Sequence, residues 1–193
     1  DVYKRQIQNS IKAQESRGYE HWAKIHNLKQ AARTLNFLTE NRIDSYAELS
    51  AKIAEVNAAS EQAAGSLKGV ERRLADMAGL IKNVTTYQKT KPVYDAYRRA
   101  KDKAAYRAAH ESSLILFEAA AKAVKPALVG GKLPNVAALQ AEYAKLQEQK
   151  ETLCADYGRL KKQVKEYDVI KRNIDSILRR ESEPERGKEN VRG

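Results

Sequence analysis

The chain has 193 residues, of which 42% are hydrophobic and 32% charged, and its formal net charge is +11. A single cysteine excludes an intrachain disulfide, no apolar run reaches the ~20 residues that span a bilayer, and the scarcity of Phe, Trp, Gly and Pro disfavours a compact mixed fold. The cationic excess suits a polyanion, nucleic acid or an acidic membrane surface, or else a solvated basic coiled coil.

Asp1-Val2-Tyr3-Lys4-Arg5-Gln6 reads as the in-frame translation of a transposase mosaic end used as a sequencing adapter. Native sequence is therefore expected to begin near Ile7, in a reading frame truncated on its 5′ side. A first, connecting helix is predicted over about residues 7–40, within an N-terminal segment 7–44. Its apolar stripe is Trp22, Ile25, Leu28, Ala32 and Leu35, at steps of three and four. Gly18 offers a place for a kink or a break. Residues 41–44 form a connector, and Ser45 offers an N-cap with Glu48 completing a capping box.

A second helix is predicted over about 46–88. Its seam alternates steps of four and three through Leu49, Ile53, Val56, Ser60, Ala63, Leu67, Val70, Leu74, Met77, Ile81 and Val84, a coiled-coil pattern. Gly65 and Gly69 weaken it. Pro92 fits the first turn of a helical insert over 92–125. Tyr94, Tyr97, Ala100 and Ala104 share one side of that insert. Leu114, Phe117, Ala121 and Val124 form a second stripe after a break near 108–112. Pro126 ends it, and residues 130–134 are a loop.

A fourth helix follows the N-cap Asn135 and runs to about 180. Its seam holds Leu139, Tyr143, Leu146, Lys150, Leu153, Tyr157, Leu160, Val164, Tyr167, Lys171, Ile174 and Leu178. The tail 181–193 lacks periodicity and is expected to be disordered. Neither long helix can bury its stripe alone. The expected fold is therefore all-α, a long antiparallel coiled-coil hairpin of 46–88 against 136–180, with the insert as a cap and the N-terminal helix near the base. In that register Leu49 lies near Leu178 and Val84 near Tyr143, and Ala63, Ala64, Gly65 and Gly69 make room for Tyr157 and Tyr167.

The chemistry-bearing residues do not converge. His21 and His26 are five apart, where a helical metal pair needs three or four, and His110 is distant in sequence. Ten tyrosines invite a nucleophile, but Tyr143, Tyr157 and Tyr167 belong to a seam, and Tyr19, Tyr46, Tyr87, Tyr94, Tyr97 and Tyr106 have no neighbouring base. No catalytic residue, metal site or cofactor is expected. The basic clusters are the better signal. Lys24, Lys29 and Arg33 on the first helix, and Arg98, Arg99, Lys101, Lys103 and Arg107 in the insert, are the candidate nucleic-acid contacts, and the fourth helix carries a further basic cluster, Lys161, Lys162, Lys165, Lys171, Arg172, Arg179 and Arg180. Tyr19 and Trp22 could stack on single-stranded bases, against packing of Trp22 in its own seam. A solvated face with intrahelical pairs such as Asp95–Arg99 is the alternative for the insert.

The strings NSIKAQESRGYEHWAKIHNLKQAARTLNFLTE (9–40), IKNVTTYQKTKPVYDAYRRAKDK (81–103), the stretch 111–121, LPNVAALQAEYAKL (133–146) and YDVIKRNIDSIL (167–178) resemble the region that follows the nuclease domain in bacterial relaxases. These are the mobilisation nucleases of conjugative and mobilisable elements. The resemblance implies that the tyrosine nucleophile and the metal-binding histidine cluster lie in a domain outside this sequence, so no catalytic residue carries over. It implies a non-catalytic, bacterial cytoplasmic module that assists binding of transfer-origin DNA or recruits a transfer-machinery protein. Homodimerisation is a further possibility. The rival expectation is a purely structural coiled-coil arm that contacts a protein and no DNA.

Overall fold

The computed structural model describes residue 2, residues 4–9 and residues 22–182, the side chains of 22–26 and 180–182 excepted. The chain is all-α, as expected. Its elements are α1 (Trp22–Glu40), α2 (Tyr46–Arg99), α3 (Lys103–Ala109), α4 (Glu111–Val124), a 3-10 turn (Lys125–Ala127) and α5 (Val136–Ser182). It divides into two compact units, one of residues 1–63 with 156–193 and one of residues 64–155. Both long helices, α2 and α5, contribute to each unit. The expected disordered tail, 181–193, begins two residues too early, since α5 continues to Ser182; its remainder and the expected kink at Gly18 lie outside the described residues.

In the first unit α1 meets the ends of α2 and α5. Leu38, Ile43, Leu49 and Ile174 are essentially inaccessible and share one core with Phe37, Tyr167, Ile170 and Ile177. Each such side chain stabilises the fold by roughly 1.5–3 kcal/mol through burial. Ile7 is buried in the same core. Lys4 pairs with Asp44 and holds that carboxyl below its ordinary range by hydrogen bond and charge.

The expected α1 stripe holds in part: Leu28 and Leu35 are half-buried, Leu35 against the core, but the fully buried face is shifted by one position. Ala31, Thr34 and Leu38 face the core, and Ala32 is exposed. A hydrophobicity pattern passes over Thr34. Its hydroxyl is satisfied inside the fold, donating to the Gln30 carbonyl at 2.8 Å and accepting from Asn173 Nδ2 at 3.2 Å. The expected members Trp22 and Ile25 lie outside the described side chains.

α1 ends in a Schellman motif. The Ile43 amide donates to the Leu38 carbonyl (2.8 Å) and the Arg42 amide to that of Thr39 (3.2 Å), with Arg42 left-handed at φ 55. Ile43 then packs in the core beside Leu38. The capping box at the start of α2 forms with one change. Ser45 Oγ accepts from the Glu48 amide (3.1 Å), while the Glu48 carboxylate reaches the amide of Asp44 (2.6 Å) rather than that of Ser45.

In the second unit α2 and α5 pack antiparallel. Val70 and Leu74 meet Leu146, with Tyr143 and Leu153 against them, and Val84 meets Leu139 and Val124 of α4. Every position of the two expected seams is buried or half-buried. The Val84–Tyr143 pairing is corrected: Val84 faces Leu139, one helical turn away, and Tyr143 belongs to the Val70–Leu74 layer. A heptad pattern sets which face is buried but repeats every turn, so it leaves the register open. Here the connection sets it, because Leu133 and Val136 pack onto the Val84 layer just as α5 begins.

Two further corrections follow. Gly65 and Gly69 make no room for tyrosines, since a Cβ at either would meet nothing within 4 Å. Tyr167 instead stands edge-on to Phe37, centroids 5.1 Å apart. And α2 does not stop near 88: it runs through Pro92 to Arg99. Pro92 deprives the Gln88 carbonyl of its helical donor. Both residues are exposed, so water can satisfy that oxygen. The extra turns are held by Tyr94, which stacks on Phe117 of α4 at 4.2 Å.

The insert is thus two short helices after a bend at 100–102, with a second break at His110 rather than one spread over 108–112. Asp102 caps α3 and Asn135 caps α5, each accepting from the amide three residues on, at 3.0 and 3.1 Å. Between α4 and α5, Val129 and Lys132 exchange backbone hydrogen bonds across Gly130 and Gly131. Both glycines have positive φ, as a two-residue hairpin turn of the primed type requires.

Candidate nucleic-acid interface

In the first unit the cations of α1 line a groove. Lys29 and Arg33 are successive turns of one helix face, and Lys165 faces them from α5. The groove encloses about 880 Å³ and is open to solvent. Asn36 and Asn173 add amides, Phe37, Val169 and Ile170 an apolar floor, and Glu40 and Glu166 two carboxylates. Lys29, Arg33 and Lys165 are exposed and take part in no ion pair among the described residues. Two of the three expected α1 contacts therefore share one concave surface. The third, Lys24, stands on α1 with its side chain outside the described residues. Lys165 completes the groove from far along the sequence, and only the pairing of α1 with α5 brings it there.

In the second unit the expected contacts Arg98, Arg99, Lys101 and Lys103 are all exposed around the bend between α2 and α3. Arg99 Nε donates to the Asp95 backbone carbonyl at 3.2 Å. The expected Asp95–Arg99 side-chain pair is replaced by Lys91–Asp95 at 2.6 Å, and Lys91 holds the Asp95 carboxyl below its ordinary value.

Arg107 differs from the other four. It grips both oxygens of Glu118 at 3.0 and 3.2 Å, and its guanidinium lies 5.9 Å from the Tyr97 ring centre. Glu118 raises its pKa further. Arg107 therefore positions α3 against α4 and is not a spare phosphate ligand.

The rings around it form a continuous ladder. Tyr87 and Tyr94 pack on Phe117 at 4.9 and 4.2 Å, Tyr94 neighbours Tyr97 at 6.3 Å, and Tyr97 neighbours Tyr106 at 6.3 Å. Tyr106 stacks on His110 at 4.1 Å with the planes 17° apart. The available signal was Tyr87, Tyr94 and Tyr97 at steps of seven and three, the spacing of one helix face. Pro92 masks it in the sequence, because a proline there reads as a helix start rather than a position inside one helix.

Among the described residues no group of three His, Cys, Asp or Glu side chains could hold a metal ion, and no helix is long and apolar enough to cross a membrane. His21 and the side chain of His26 lie outside the described residues. No protein-family model, no curated protein and no solved structure matches the chain.

Proposed function

We propose that this chain is a non-catalytic helical module of a relaxase, which helps hold DNA during mobilisation of a plasmid or transposon. The observation that carries the DNA role is the α1–α5 groove, where Lys29, Arg33 and Lys165 stand unpaired among the described residues on one concave surface. Three unpaired cations on one concave surface suit the phosphates of a single strand, whose binding releases counterions. The net charge of +11 supplies long-range attraction to the same partner. The relaxase assignment rests on the sequence resemblance alone.

A labelled single-stranded oligonucleotide titrated across a salt series tests the DNA role. Binding should be evident at low salt and fall steeply as salt rises. Lys29→Ala with Arg33→Ala should reduce the slope of log affinity against log salt by about 1.4, from ~0.7 per phosphate contact. Affinity absent at low salt, or indifferent to salt, would sink the DNA role. The relaxase assignment predicts a nuclease domain with a histidine cluster in the upstream coding sequence, and its absence there would overturn that part.

A second reading is a structural arm that contacts a protein of the transfer machinery. What favours it is the exposed apolar pair Ile115 and Leu116 on α4, 51% and 54% accessible. It gains if single-stranded DNA does not bind while Ile115→Lys abolishes association with a partner.

A further inference from the structure

We propose that Tyr106 and His110 form a nucleobase-stacking site for single-stranded DNA at the end of α3, whose start and preceding bend carry the exposed cations Arg98, Lys101 and Lys103. The inference rests on the DNA reading above but concerns a different surface, in the second unit. His110 lies nearly parallel on Tyr106, 4.1 Å between centroids, and is itself exposed. It is therefore the solvent end of the ring ladder that begins at Phe117. Its Nδ1 lies 3.1 Å from the Tyr106 backbone carbonyl, which fixes the ring's orientation.

The ladder is held rigid before any ligand arrives. The two-pronged Arg107–Glu118 contact ties α3 to α4, and Asp102 caps the start of α3. Lys103, Tyr106, Arg107 and His110 follow one another at steps of three, one and three, so they share a helix face. Lys103 and the two rings thus share a single surface. Arg107 is neutralised by Glu118, and Glu111 stands beyond His110, so the available cations are Arg98, Lys101 and Lys103. An exposed flat ring backed by a second and near cations matches a ligand with both π faces and phosphates. A single strand offers its base faces, whereas a duplex hides them against neighbouring bases.

The test uses the full chain, with fluorescence anisotropy of one labelled oligonucleotide single-stranded and as its duplex. His110→Ala should weaken single-strand binding about tenfold and duplex binding less, with the salt slope unchanged, because stacking contributes without releasing counterions. In a Trp22→Phe background, which removes the native tryptophan, His110→Trp should restore binding, and its emission should be quenched as the strand binds. Circular dichroism checks that each variant is folded; if His110→Ala is not, the quenching of His110→Trp decides. Wild-type affinity in His110→Ala, an equal loss on duplex, or an unquenched Trp would overturn the stacking site. If wild-type protein binds no DNA at low salt, the DNA reading itself fails; if it binds through Lys29 and Arg33 while His110 is indifferent, only this inference fails.

Discussion

Asn173 on α5 donates its side-chain amide to the hydroxyl of Thr34 on α1 at 3.2 Å, and Thr34 passes a hydrogen bond on to the Gln30 carbonyl. Thr34 is fully buried, so this chain of polar contacts ties α1 to α5 beneath the groove that Lys29, Arg33 and Lys165 line.

Thr34→Val keeps the shape and removes the hydroxyl, leaving the half-buried Asn173 amide without its partner. Stability should fall by about 1–2 kcal/mol, the usual cost of an orphaned polar group. Adding Asn173→Leu should recover most of the loss, since replacing both partners by apolar groups removes the unsatisfied donor. Urea melts of the single and double variants measure both effects. A double variant as unstable as Thr34→Val alone would show that the amide is not the source of the cost.

Arg42 holds the left-handed position of the α1 Schellman motif, where a side chain is strained. Glycine adopts that conformation freely but costs more entropy on folding. Arg42→Gly should therefore raise stability by a net of roughly 0.5–1 kcal/mol. Thermal unfolding is the measurement, and an unchanged or lower midpoint would count against the strain.

Pro92 lies inside α2 at an exposed position, where its ring costs a helical hydrogen bond and supplies no burial in return. Pro92→Ala should stabilise the protein by on the order of 1–3 kcal/mol. Gly65→Ala should add roughly 0.5–1 kcal/mol by helix propensity, because the new methyl meets nothing within 4 Å. A loss of stability for Pro92→Ala would mean that the proline ends a helix there instead of lying within one.

The Lys91–Asp95 pair gives stability a defined pH dependence. Lys91 holds the folded Asp95 carboxyl below its ordinary value of 3.8, by hydrogen bond first and by charge second. A depressed carboxyl contributes stability above its unfolded value, and that contribution is lost as pH falls through the folded one. The gap in melting temperature between wild type and Lys91→Ala should be small but constant from pH 7 to about pH 5, shrink as pH falls through 3.8, and close below the depressed folded value. A gap that persists at pH 2 would assign the effect to packing of the lysine stem.

Much of the fold was legible because its cause is local and periodic. The two seams on α2 and α5 follow from steps of three and four, and every predicted seam position is buried or half-buried. The caps at Ser45 and Asn135 form because a side-chain oxygen needs only the amide three residues on. Of the candidate contacts, Lys29, Arg33, Arg98, Arg99, Lys101 and Lys103 are exposed as their charge demands, since an unpaired ammonium or guanidinium is costly to bury.

What the pattern missed depends on partners far along the chain. Thr34 reads as a polar surface residue until Asn173 is placed beside it. Arg107 reads as one more phosphate ligand until Glu118 arrives from α4. Pro92 reads as a helix start until Tyr94 finds Phe117.

The amino-acid sequence by itself determined the all-α class, the buried faces of the long helices and the basic character of the surface, because helix period, capping and charge act over one or two turns. Only the tertiary structure decided the register at Val84 and Leu139, the groove shared by α1 and α5, and the ring ladder ending at His110. Those depend on which turn meets which, and a pattern that repeats every turn cannot distinguish one turn from the next.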